Sequence, residues 1–255
     1  MKYKYFSLLL ALSVFCACAS VGLTGRKQLM LISEEQESTL GLQSYDEVLK
    51  TAKISKDAAN TALVNKVGRR IAAASGQNYD WQFVLIEDKQ VNAFCMPGGK
   101  VAVYTGILPY TKDENGLAVV MAHEVAHALA RHGAERMSQT LILQGGLAAA
   151  SLALEENKNK ALILGAFGVA GTVGVMLPYS RKHEYEADHM GLILMAKAGY
   201  DPRTAVGFWQ RMSTANGTVK EGSPISGFLS THPSDENRIK AIQEHLPEAL
   251  NYYGK

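Results

Sequence analysis

Apolar and polar positions along the chain divide it into helices around one short run of strands. Ser33 precedes a helical pattern and has Gln36 three residues on, a capping box that opens a first helix. A second helix is expected from Asp57 to about Ala74, closed by Ser75-Gly76. WQFVLIE (81–87), VNAFC (91–95) and KVAVYTG (100–106) are strand candidates, the last two separated by the turn Pro97-Gly98-Gly99. The apolar run GLAVVMAHEVAHALARHGAERM (116–137) supplies a long helix, with Asp113 or Asn115 as its cap.

Residues 137–154 and 161–180 carry no charge, and the polar knot EENKNK lies between them. They are expected to form a helical hairpin, buried or covering substrate. Gly165, Gly168, Gly171 and Gly174 drift round one side of its second arm, permit close backbone approach and lower helix propensity. SRKHEYEADHMGLILMAKAGY (180–200) is a strong helix pattern closed by Gly199. Asp201-Pro202 reads as a cap with proline at the first helical position. A loop of about twenty residues then leads to a last helix near Ser234. A loop this long in a compact domain points to function. The pattern defines an α+β domain, mostly helical, with a small three-stranded sheet.

The 255 residues suffice for one domain, taken as 33–255, with no repeats. The formal charge is +2, and without Lys2 and Lys4 the basic and acidic counts are equal. No basic patch with interleaved aromatics is present, so nothing implies nucleic acid. The start, MKYKYFSLLLALSVFCACAS, has a basic region, an apolar stretch of about ten residues and then small residues, the pattern of a secretory signal over 1–17. Phe15-Cys16-Ala17-Cys18 resembles a bacterial lipobox, which makes Cys18 the lipidated first residue and 18–32 a tether. Ala17-Cys18-Ala19 also fits a small-x-small cleavage site that releases a soluble protein. Either way Cys16 is removed, no internal disulfide forms, and Cys95 reads as a small buried apolar residue.

HEVAH carries the chemistry. A four-residue helical step turns about 400°, so His123 and His127 share a face, and Glu124 lies one step round. Two such histidines with a glutamate suit zinc, which takes three side chains at a catalytic site. His132 is five residues after His127, about 140° off that face, and reads as a solvated surface residue. A helix starting near Arg181 stacks Glu184 and Asp188 at i and i+4. Glu184 can then bind the metal while Asp188 orients a liganding imidazole. Glu186 falls on the opposite, solvated side, and His183 and His189 read as surface histidines.

TGRKQLMLIS (24–33), NAFCMPGGKVAVYTGIL (92–108), HEVAHALARH (123–132), SRKHEYEADHMGL (180–192) and THPSDENRI (231–239) together resemble metallopeptidase family forty-eight, the zinc metallopeptidases that include HtpX and the CAAX-prenyl endopeptidases. The similarity is greatest to small bacterial periplasmic lipoprotein members. It implies a zincin-like domain with one Zn2+ per chain, held by His123, His127 and Glu184, and Glu124 as general base in peptide hydrolysis. It also implies that Asn92 and Ala93 offer backbone groups to an extended substrate. His232 is then either the donor to the oxyanion or a fourth ligand that blocks water in a resting state. Arg238 either anchors that loop through a carboxylate or is an ordinary exposed helix arginine. Misfolded or misassembled envelope proteins are the substrates the family suggests, with the chain held to the outer membrane by lipid or soluble in the periplasm. Two rivals remain: a non-catalytic zinc protein that holds unfolded clients, and a multi-spanning membrane protease.

Overall fold

The computed structural model describes residues 18–171, 176–217, 223–233 and 236–255. The expected leader 1–17, Gly174 and Ser234 lie outside the described residues. The chain divides into two compact units, one comprising the described residues up to Gln36 together with Arg131–His183, the other Glu37–Ala130 together with Glu184–Lys255.

In the first unit, β1 (Cys18–Ser20) pairs antiparallel with β2 (Lys27–Leu29), within the stretch expected to lead into the domain. The Ser33–Gln36 capping box forms as expected, with Gln36 N donating to Ser33 Oγ and Ser33 N to Gln36 Oε1, and it opens α1 (Glu34–Thr51). Helices α4 (His132–Ala153) and α5 (Lys160–Gly171) make the expected helical hairpin. The glycine reading holds at Gly171, where an added Cβ would lie 2.5 Å from Leu143 Cδ1. The burial reading fails: α5 contains no buried residue, and Leu162, Phe167 and Val169 are exposed. Among the described residues, no helix is long and apolar enough to cross a membrane.

The polar centre of this unit overturns two surface assignments. Arg26 and Glu135 form an ion pair at 2.8 Å, and Glu135 Oε2 lies 2.8 Å from His183 Nε2. His132 stacks on His183 with ring centroids 4.1 Å apart, and both histidines are buried. His132 escapes the expected solvation because the helix bearing HEVAH stops at Leu129. Arg131 then takes a left-handed conformation (φ 57°), uncommon for a side chain with a Cβ, and donates to the Ile32 carbonyl.

The second unit is built on the sheet β3 (Gln82–Ile86), β5 (Lys100–Tyr104) and β4 (Ala93–Met96), in that spatial order. β5 is central, parallel to β3 and antiparallel to the edge strand β4. α2 (Ala58–Ser75), capped by Asp57, packs on β3. α3 (Glu114–Leu129) starts at Asp113, whose Oδ1 accepts from Gly116 N at 2.8 Å, and lies against β4. Nearly every residue of α3 from Gly116 to Ala128 is buried, so it is the central helix of the core rather than an amphipathic one.

α6 (Leu177–Lys197) passes α3 closely at Gly191, where an added Cβ would meet His123 N at 3.2 Å and Cα at 3.3 Å. This close approach brings Glu184 and Asp188 to the histidine face. α7 (Thr204–Gly217) starts later than the Asp201-Pro202 signal implies. Asp201 instead closes a turn, its Oδ1 accepting from Arg203 N and its carbonyl from Thr204 N. The long loop contains a short helix, α8 (Ser226–Thr231), and α9 (Glu236–Leu250) ends the chain.

Candidate metal centre

Three imidazole nitrogens and one carboxylate converge in the second unit. His123 Nε2 lies 3.0 Å from His127 Nε2 and 3.2 Å from His232 Nδ1. Glu184 Oε2 is 3.0 Å from His232 Nδ1 and 3.4 Å from His123 Nε2, while its Oε1 is 3.4 Å from His127 Nε2. Tetrahedral zinc with bonds of about 2.0–2.1 Å has ligand–ligand edges of about 3.3 Å. The four groups therefore already hold close to the spacing of such a shell. The rings meet edge-on rather than stacked, at 83° for His123 and His127, so their nitrogens aim inward.

The electrostatics also call for a cation. Burial opposes a charged His123, but hydrogen bonds that it donates to Asp188 and Glu184 outweigh it and raise its pKa to about 9. Burial likewise opposes an ionised Glu184, yet hydrogen bonds with His123, His127 and His232 hold it well below the usual carboxylate range. A buried carboxylate ringed by imidazoles gathers positive charge as protons or as a metal. The donor set fits zinc.

The chain around these atoms fixes their aim. His123 Nδ1 faces Asp188 Oδ1 at 3.0 Å. Asp188 in turn accepts from Arg238, at Oδ1 from Nη2 (2.9 Å) and at Oδ2 from Nε. Burial would raise the Asp188 pKa, but the Arg238 charge and hydrogen bonds lower it. Arg238 is buried, which removes the exposed-arginine reading. It donates to the Pro233 carbonyl at 3.0 Å and lies 3.2 Å from Glu184 Oε2, so it ties the His232 loop to α6.

Glu124 is buried beside the cluster. Among the described residues its Oε1 has no hydrogen-bond partner, and it lies 3.5 Å from His232 Nε2. Burial raises its pKa, against the charges of His232 and His123. That is the environment of a carboxyl that can exchange a proton.

Of the two residues expected at the substrate strand, Asn92 is turned the other way. Its carbonyl accepts from Tyr104 N at 3.0 Å, on the β5 side. Alternation along the strand then directs the backbone N–H and C=O of Ala93 to the outer edge of β4. Val91 N is bonded to the Pro224 carbonyl, and Ala93 itself is 2% exposed. Cys95 on β4 is half-buried, and burial and the Glu124 charge push its thiol pKa up.

Glu186 is buried, not solvated as its helical phase suggested, because α6 is covered on that side too. Sequence reasoning missed Trp209. The Arg238 guanidinium lies 3.6 Å from the Trp209 ring centroid, and His123 meets the same ring edge-on at 5.5 Å. Trp209 looks like any core aromatic on a helix, and no local signal distinguishes it.

Fold and site together define a metallopeptidase-like domain with a His/His/Glu cluster on two crossing helices. Residues 58–246 match Peptidase family M48, and the chain belongs to that family. It is 40% identical over 235 residues to the mitochondrial metalloendopeptidase OMA1 of Schizosaccharomyces pombe, covering 90% of this chain and 66% of that one. The human metalloendopeptidase OMA1 is 30% identical, with 96% and 49% covered. The beta-barrel assembly-enhancing protease of Escherichia coli is 29% identical, with 82% and 43% covered. The chain thus spans less than two thirds of the length of these relatives. These relatives are OMA1 metalloendopeptidases and a beta-barrel assembly-enhancing protease, and the family match bears out the family resemblance expected from the motifs.

Proposed function

We propose that this protein is a zinc-dependent endopeptidase. The observation that carries the proposal is the convergence of His123, His127 and Glu184 at tetrahedral-edge distances beside the buried carboxyl of Glu124. When bound, zinc supplies a Lewis acid that acidifies a water and polarises the scissile carbonyl. Glu124 takes the proton of the attacking water and delivers it to the leaving amine. Asp188 fixes the His123 ring, and Arg238 fixes Asp188. Ala93, whose backbone groups face the outer edge of β4, pairs with an extended substrate backbone once that edge is uncovered, and Asn92 holds the strand in register. His232 would be the fourth ligand of a resting state when zinc is bound, and it would have to leave before water could take its place.

The substrates proposed are unfolded or misassembled proteins of the bacterial cell envelope. A relative named for beta-barrel assembly supports that class. Removal of a leader over 1–17 and lipidation of Cys18 would anchor the domain 33–255 to the membrane through 18–32. Fractionation of Cys18→Ala tests the anchor, since loss of lipid moves the protein to the soluble periplasmic fraction. For the activity, Glu124→Gln is decisive. It should abolish cleavage of an unfolded protein while zinc content stays at the wild-type level. Retained cleavage would remove Glu124 as the base. A client-holding protein without catalysis would bind unfolded protein equally well with either residue, and wild type would cleave nothing.

A further inference from the structure

Away from the catalytic cluster, α6 and α9 bring a second set of metal-ligating groups together. His189 lies on α6, directly after Asp188. His245 and Glu248 lie on α9 at i and i+3, and therefore on one face of that helix. His189 Nε2 is 2.7 Å from Glu248 Oε2. The His189 and His245 rings stack 3.9 Å apart at 12°. One ligating atom from each of the three residues falls within 4.8 Å of the others. All three are at least partly exposed, so a metal has access and the side chains have freedom to turn.

We propose that His189, His245 and Glu248 form a second zinc site, distinct from the catalytic one. Two imidazoles and a carboxylate suit zinc among the available divalent cations, with water completing the shell. The metal takes the place of the proton now held between His189 Nε2 and Glu248 Oε2. To converge on a metal with edges of about 3.3 Å, the two rings would have to turn out of the parallel stack they now form. As it stands, an exposed histidine–carboxylate pair contributes little to stability. With metal bound, the same three groups staple α6 to α9.

The staple has a consequence for the neighbouring centre. The same two helices carry the buried Asp188–Arg238 pair that orients His123. Zinc at the outer site would hold the helices in the spacing that pair requires. The outer site does not depend on the catalytic assignment, because it shares no ligand with it.

Metal-free full-length protein, titrated with Zn2+ against a chromophoric chelator, tests the proposal. Wild type should take up two equivalents, one tight and one weaker, and the second should raise the melting temperature further. His245→Ala and Glu248→Gln should each take up one. Glu184→Ala should lose the tight equivalent and keep the weaker one, which separates this site from the catalytic one. Glu248 is exposed, so its variant keeps the test open if His245→Ala misfolds, as judged by circular dichroism. A single equivalent in wild type, or two in a folded Glu248→Gln, would overturn the proposal.

Discussion

His232 points Nδ1 at Glu184 Oε2 from 3.0 Å and leaves Nε2 toward Glu124 at 3.5 Å. One ring thus touches both a proposed zinc ligand and the proposed base. Phe228 supports it from one side, with ring centroids 4.7 Å apart. In the reading proposed above, His232 would complete a four-donor set with His123, His127 and Glu184, and would have to leave before water could enter.

His232→Ala should therefore raise turnover on an unfolded protein substrate, or bring on self-cleavage, with zinc retained through the other three ligands. Steady-state kinetics of purified wild type and variant decide this. A fall in kcat on the order of 10²–10³-fold at unchanged KM would instead assign the ring to the oxyanion.

Glu184→Ala should lose the tightly bound zinc in metal analysis, because it removes the carboxylate that converges with His123 and His127. Glu186→Gln is the control. Glu186 is buried, so the amide is chosen to preserve volume, and zinc content should remain at the wild-type level. Zinc loss in the Glu186 variant with retention in the Glu184 variant would reverse the ligand assignment.

Asp188→Asn should weaken zinc affinity or activity by about 10- to 100-fold, the usual effect of losing the partner of a liganding histidine. The neutral amide also leaves Arg238 with less compensating charge in a buried place. Competition with a chelator measures the affinity, and wild-type values would make Asp188 a bystander.

Glu135 sets an acid limit on the other unit. Burial raises its pKa, but hydrogen bonds with His183 and Arg26 overcome that and hold it below the ordinary glutamate range. A carboxylate depressed in the folded state stabilises the protein above its unfolded pKa. That contribution is lost as the pH falls through the depressed folded value. Glu135→Gln should cost about 1–3 kcal/mol near neutral pH, since it weakens the buried contact with His183 and the pairing with Arg26, which is itself partly exposed and still bonded to Gln28. Urea unfolding from pH 7 downward should show the gap between variant and wild type closing below about pH 4.5. A constant gap would mean that Glu135 acts through packing alone.

Local pattern sufficed wherever one helix or turn contains the whole signal. The Ser33–Gln36 box, the Asp57 and Asp113 caps, and the common face of His123 and His127 follow from spacing along one element. So does the stacking of Glu184 over Asp188, because i and i+4 coincide on any α-helix. The three strands were legible from their turn residues and alternation. Burial was not legible in the same way. His132, His183 and Glu186 looked solvated because their helical phase was judged against HEVAH or Glu184, while other parts of the fold cover them. The Asn92 carbonyl faces β5 rather than substrate because strand pairing, not composition, decides which side each peptide faces. The placing of Trp209 under Arg238, and of His189 against His245 and Glu248, comes from the packing of helices distant in sequence. A sequence fixes which groups share one element's face; which faces meet depends on how the elements pack, and no single element records that.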